Sequence, residues 1–469
     1  MQKTQSNGLM AKIKGMFGAQ DMTVGSPMGV MVKFAIPLLI GNIAQQLYAT
    51  VDSIVVGRYV GDLALSAIGA SGPIINLLLV LFMAISTGAG ILVAQFFGAR
   101  AKDQLSTSIG TSVSLIFFSG LLIMVLGIPL AGPMLKMIST PAEYFDMAKD
   151  YLQIIFLGIL GSGFYNIISG ILRGLGDSIY PLIFLLVATI LNTILDIWLV
   201  AGLKMGVAGA AWATIIAQFI SAALCLIRLA NMKDIITLNA KSLKPDMKMT
   251  GKLLKLGLPS GITQAVFSLA MVFVQSLTNR MGLFVPAVSI AVMRVDGFAM
   301  MPNFTFGLAI STFIGQNLGA KKHDRIKPGE HAVLKLSLIT SVVLVLALLL
   351  FGKYLIMMFT ETPEVIQLGT NALRILAAGY IAMAITQVYG GILRAAGDTM
   401  TSMYISIFTT VIVRVPLAYG IAAFTKSEMW PAGHPNALFI SLLVSWVLGA
   451  VLTYAWYRTG RWKNIRLVD

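Results

Sequence analysis

Long apolar runs follow one another along almost the whole chain, at about 31–56, 63–96, 107–131, 148–173, 179–202, 206–228, 256–281, 286–317, 332–352, 368–393, 401–424 and 436–458. Each reaches the roughly 20 residues that carry an α-helix across the hydrocarbon of a bilayer. Several exceed that length, which predicts tilt or extension into water. Gly, Pro and charge clusters separate the runs. The pattern predicts an all-α integral membrane protein with twelve transmembrane helices.

Charge sharpens this picture. Only 11% of the 469 residues are charged and 57% are hydrophobic, against about 25% charged in a typical soluble domain. The net charge of +15 is spread through the gaps between runs and is not gathered on a surface that would bind nucleic acid. Alternate gaps are basic: Arg100 and Lys102, Arg173, Lys233 through Lys255, Lys321 through Lys327, Arg394, and Arg458 through Arg466. The other gaps hold few basic residues and carry the acids Glu143, Asp146, Glu361, Glu364 and Glu428. By the positive-inside rule both termini are expected in the cytoplasm. The first thirty residues contain GLMAKIKGMF, a stretch suited to an amphipathic surface helix. No removable signal peptide is read there.

The chain repeats itself. GILRGLGDS at 170–178 recurs as GILRAAGDT at 391–399, and AQFFGARAKD at 94–103 recurs as GQNLGAKKHD at 315–324, both 221 residues on. Pro37 is matched by Pro259 at nearly the same offset. Six spans per copy return the chain to its starting side, so the copies are expected to be parallel and related by a pseudo-two-fold axis along the membrane normal. The organisation that follows is a cytoplasmic segment 1–30, an N-lobe 31–228, a basic linker 229–255, a C-lobe 256–458 and a cytoplasmic tail 459–469.

An ionisable side chain at the bilayer centre costs about 2.5–3.5 kcal/mol on insertion scales, which makes each one a functional candidate. In the first span Gln45, Tyr48 and Asp52 share a helical face; in the fifth, Asn192 and Asp196 do the same. Thr214 adds a hydroxyl in the sixth span. Such oxygens suit Na⁺, and two neighbouring carboxylates equally suit a shared proton. The second copy lacks these acids: Asn192 and Asp196 correspond to Val413 and Leu417. It carries instead Arg294 and Asp296 in the eighth span and Arg414 in the eleventh, readable as a structural ion pair or as a second functional site.

These residues, in this order and spacing, resemble the multidrug and toxic compound extrusion (MATE) family over roughly 30–460. The marks are Pro37 with Gln45, Tyr48 and Asp52, then Gln95 and Gly98, GILRGLGD, Asn192 with Asp196, and Thr214. The resemblance implies a V-shaped pair of six-helix lobes. It also implies an antiporter, not an enzyme, that expels hydrophobic or cationic organic compounds in exchange for H⁺ or Na⁺. Asp52, Asn192, Asp196 and Thr214 would form the cation-coupling site, with Gln45, Tyr48, Asn166, Arg294, Asp296 and Arg414 lining or supporting the cavity. GLPSGITQAVFS and AMAITQVYGG lack the acids that some relatives carry in the seventh and tenth spans, which places the chain nearer the DNA-damage-inducible branch.

Small organic molecules and the lipid bilayer are the expected partners, for a monomer in a prokaryotic plasma membrane. No cofactor beyond the coupling ion is expected. The absence of GxxxxGK[ST] removes ATP as a direct driver, and no HExxH or Ser/His arrangement suggests an enzyme. Cys225 stands alone, and His323, His331 and His434 match no metal-ligand spacing. A flippase for a lipid-linked precursor is the alternative, and it would need a strongly basic cavity.

Overall fold

The computed structural model describes residues 20–237, 243–282, 284–465 and 467, and side chains throughout these except at 47–54 and 62. GLMAKIKGMF, Lys241 and Arg466 lie outside the described residues. The first unit contains most of α1 (Pro27–Tyr59), and α2 (Asp62–Gly98), α3 (Lys102–Met137), α4 (Ala142–Leu157), α5 (Ile159–Gly174), α6 (Ile179–Asp196) and α7 (Gly206–Ala230). The second contains most of α8 (Met247–Arg280) and α9 (Val285–Gly319), followed by α10 (Ile326–Met357), α11 (Pro363–Ala396), α12 (Thr399–Ile407), α13 (Arg414–Phe424) and α14 (Asn436–Arg458). Of the described residues, those within 20–25, 32–258 and 319–321 cluster as one compact unit, and those within 26–31, 259–318 and 322–467 as the other.

Eleven of these segments are long and apolar enough to cross a membrane, and the bent pair α4–α5 supplies a twelfth. The apolar run at 148–173 reads as one spanning helix; the structure bends it by 51° between Leu157 and Ile159. Gly158 sits at the break, where any side chain would collide with Ile215 of α7. Two other spans are interrupted by wider π-helical turns, at Ile197–Gly202 after α6 and at Phe408–Val413 between α12 and α13. Pro416 accounts for the second: it donates no N–H and its ring crowds the carbonyl four residues back, which loosens the preceding turn.

The repeat is visible in backbone detail. Arg100 and Lys321, 221 apart, both take a left-handed conformation (φ 55° and 59°). The adjoining N–H groups of Ala101 and Lys322 close the same turn on Phe96 O and Asn317 O, at 3.0 and 2.9 Å. In the second motif, Gly176 and Gly397 have φ of 83° and 98°. The N–H groups of Asp177 and Asp398 then reach back to Leu172 O and Leu393 O at 2.8 and 2.9 Å. Each glycine ends a helix in the left-handed region where a Cβ is disfavoured. Each aspartate caps the next helix, accepting from Tyr180 N–H and Thr401 N–H. The motif is therefore helix punctuation.

Small residues bring backbones together within each unit. A Cβ on Gly174 of α5 would stand 2.8 Å from Gly90 O of α2, and one on Gly391 of α11 would stand 2.5 Å from Gly307 O of α9. Gly170 packs against Ser86 in the same way, and Ser86 corresponds to Gly307 at the repeat offset. Close approach through small side chains is how membrane helices gain packing when lipid offers no hydrophobic drive. In the first unit two apolar clusters, one around Val56, Ala210 and Ile215 and one around Leu135, Leu152 and Phe156, fill the space between helices. In the second, a larger cluster runs from Val274 and Val288 to Tyr380 and Phe439.

Candidate functional site

In the first unit, α6 presents Asn192 and Asp196 one turn apart, both buried, at 1% and 0% exposure. The neighbouring hydroxyls of Thr189 and Thr193 donate to their own helix, to Leu185 O at 2.8 Å and Thr189 O at 2.9 Å, and so are already used. The Asn192 amide is not: among the described residues neither its oxygen nor its nitrogen has a hydrogen-bond partner. A buried amide in that state costs about 1–3 kcal/mol, so a pure packing role explains it poorly. Asp196 is the last residue of α6, directly before the π turn Ile197–Gly202. Such turns are frequent at functional sites.

α7 runs alongside α6. It contributes the half-buried Thr214 and, one turn further, Gln218, whose Oε1 is buried with no partner among the described residues. Gln218 was not singled out from the sequence. Its signal is its position four residues after Thr214, on the same helical face. Asn166 of α5 donates its amide to Ser162 O at 2.8 Å, while its backbone carbonyl accepts from Ser86 Oγ at 2.9 Å. It supports the crossing of α2 and α5.

The first-span candidates lie on α1. Gln45 is exposed, and the side chains of Tyr48 and Asp52 lie outside the described residues. The backbone still fixes depth. Gly41 of α1 faces Leu182 of α6, where an added Cβ would stand 3.6 Å from Cδ1. Both helices are odd-numbered spans and run in the same direction. At about 1.5 Å per residue, the backbone of Asp52 lies roughly 16 Å beyond that contact, and those of Asn192 and Asp196 roughly 15 and 21 Å beyond it. Counted along the two helices, the backbones of Asp52 and Asn192 thus stand at nearly the same height, with Asp196 about one turn further on.

The second unit holds a different polar site. Asp296 of α9, Arg414 at the start of α13, and Gln275 and Ser289 line a cavity with about 50 Å³ of free space. Arg414 is 5% exposed and Tyr380 of α11 is fully buried. Asp296 has Tyr380 and Arg414 as its neighbours, the Tyr380 hydroxyl beside its carboxylate, while Asp296 Oδ1 and Arg414 Nε are buried with no hydrogen-bond partner among the described residues. Arg414 Nη1 has only a weak contact to Met271 Sδ at 3.9 Å. Arg294 does not join this cluster: it is exposed. Among the described residues the one side-chain ion pair is Asp177–Arg228, at 3.0 Å. Arg294, Asp296 and Arg414 therefore do not form a closed ion pair. Residues two apart on a helix point to different faces, which explains why Arg294 and Asp296 separate.

At the end of the first unit, Arg228 binds Asp177 through Nε and Nη2 (3.2 and 3.0 Å) and lies 3.9 Å over the ring of Tyr180. Burial pushes the Asp177 carboxyl up from the usual carboxylate range, while Arg228 and the helix N–H groups pull it down. This cluster fastens α7 to the start of α6. No three His, Cys, Asp or Glu side chains among the described residues come together as a metal site.

Twelve apolar spans in two units that repeat the same helix punctuation, with polar groups buried inside the spans, define a multi-pass membrane transporter. The profile of the MatE family matches residues 37–198 and 259–420, one match in each copy. The chain belongs to the MATE family. It is 29% identical over 449 residues to the probable multidrug resistance protein YpnP of Bacillus subtilis (strain 168), covering 96% of this chain and 99% of that one. It is also 26% identical to the DNA damage-inducible protein F of Escherichia coli (strain K12), covering 92% of each. Among solved structures, the outward-facing conformation of a multidrug resistance MATE family transporter of the MOP superfamily shares the fold. That comparison has a TM-score of 0.87 and 23% identity, over 96% of this chain and 98% of that chain.

Proposed function

We propose that the protein is a secondary antiporter that expels hydrophobic or cationic organic compounds in exchange for H⁺ or Na⁺ by alternating access. The observation that carries this reading is the buried Asn192–Asp196 face of α6, with an unsatisfied amide at the level of the Asp52 backbone. Carboxylates at that depth are costly, and a bound cation or proton offsets the cost. A site that is stable only when loaded couples ion occupancy to the state of the protein. Thr214 and Gln218 supply further oxygens from α7 for a cation whose preferred ligands are oxygens. The names of the relatives, multidrug resistance proteins among them, support the substrate class.

The loop charges support cytoplasmic termini in a prokaryotic plasma membrane. A lipid-linked precursor flippase fits less well. The charged cavity of the second unit balances Arg414 with Asp296 and so offers no excess of positive charge to a pyrophosphate.

The test reconstitutes the protein in liposomes, imposes a pH gradient and a Na⁺ gradient separately, and follows a cationic dye. One of the two gradients is expected to drive the dye uphill. Indifference to both would contradict the antiport reading.

A further inference from the structure

The cavity of the second unit is lined by other residues than the proposed coupling face, and its chemistry is unlike it. Among the described residues, Arg414 Nε is a buried donor without an acceptor and Asp296 Oδ1 a buried acceptor without a donor. The carboxylate and the guanidinium stay more than a salt-bridge distance apart, since no ion pair closes between them. Charge and hydrogen-bonding capacity are therefore balanced but not mutually satisfied. Buried polar groups left in this state require an occupant that answers both.

We propose that this cavity binds the head group of an amphipathic zwitterion, its carboxylate on Arg414 and its ammonium on Asp296. This rests on the export reading and specifies a substrate class for it. A head with only an ammonium would satisfy Asp296 but leave Arg414 facing a like charge; a head with only a carboxylate would do the reverse. A group carrying both charges meets both residues, and the pair of charges leaves no net charge to bury.

The dimensions agree. A water molecule needs about 10–15 Å³ of such space, so about 50 Å³ admits a few heavy atoms and no more. Met271, Leu376 and Phe439 form apolar walls beside the charges. Gln275 and Met293, the latter 48% exposed, stand at the open side, where the apolar remainder of the ligand would leave.

Three fluorescent probes with one tail test this on the purified protein. ε-Dansyl-lysine carries an ammonium and a carboxylate, dansylcadaverine is the same chain without the carboxylate, and dansyl-aminohexanoate is the same chain without the ammonium. The wild type is expected to bind ε-dansyl-lysine about tenfold more tightly than either of the others, a difference typical of one charge-assisted contact. Arg414→Gln should shift the preference to dansylcadaverine and Asp296→Asn to dansyl-aminohexanoate, while Arg414→Lys keeps the zwitterion first. A preference gained by a variant also shows that it is folded. Equal affinity of the wild type for all three probes, as expected if the cavity holds only water, would overturn the proposal. So would a zwitterion preference that survives in both charge variants. Because binding is read without a gradient, failure of ion-driven efflux would leave this result standing, and the converse also holds.

Discussion

Asn192 is the residue whose situation most needs a functional explanation. Its amide is buried with four hydrogen-bonding positions and no partner among the described residues, next to threonines that satisfy themselves within the helix. Leucine is of similar size and has nothing to leave unsatisfied. If the amide served packing alone, Asn192→Leu would lower stability. We expect the opposite: an unchanged or higher Tm in detergent, together with at least a tenfold loss of ion-driven efflux. A fall in Tm with efflux intact would assign Asn192 to packing. Gln218 belongs to the same argument, since its Oε1 is buried one turn from Thr214 with no partner among the described residues. An amide within a span gives a weaker signal than a carboxylate because its insertion cost is lower, and so Asp196 stands out in the sequence where Gln218 does not. Tyr380 was hidden for a similar reason: a tyrosine in an apolar run reads as bulk until its hydroxyl is found beside Asp296.

At the scale of elements, glycines decide how closely helices approach. A side chain on Gly391 meets the Gly307 carbonyl and Ile310, both backbone-anchored or packed. Gly251, on α8, has nothing within 4 Å of an added Cβ. Gly391→Leu is therefore expected to cost about 1–3 kcal/mol through overpacking and to lower Tm and folded yield. Gly251→Ala should be tolerated, with a gain of up to about 1 kcal/mol from helix propensity. Thermal melts of the two purified variants compare them directly, and equal Tm values would remove the close crossing of α9 and α11 from the account.

Much of this level was legible in the sequence. The spans follow from hydropathy, and the motifs GILRGLGD and GILRAAGD encode helix ends, a left-handed glycine followed by a capping aspartate. The break at Gly158 was not legible, because one glycine among apolar residues marks a bend only once Ile215 is known to occupy the space beside it. The turn at Ile197–Gly202 was hidden as well. A shift of backbone hydrogen bonds leaves hydropathy unchanged, and no proline announces it.

At the scale of the whole molecule, the two copies share punctuation and close helix crossings but differ in buried chemistry. The first carries Asn192, Asp196, Thr214 and Gln218 on α6 and α7. In the second, the positions of Asn192 and Asp196 hold Val413 and Leu417, and Asp296 and Arg414 line a cavity instead. Duplication supplied one scaffold twice, and the account assigns ion coupling to one copy and head-group recognition to the other.

The most direct measurement of that claim compares wild type with Asp196→Asn in the same liposomes, in two modes. One mode is uphill dye movement driven by the coupling ion; the other is dye exchange at equal concentrations without any ion gradient. Asp196→Asn is expected to lose uphill transport and keep exchange. Uphill transport at the wild-type rate in Asp196→Asn would contradict the claim.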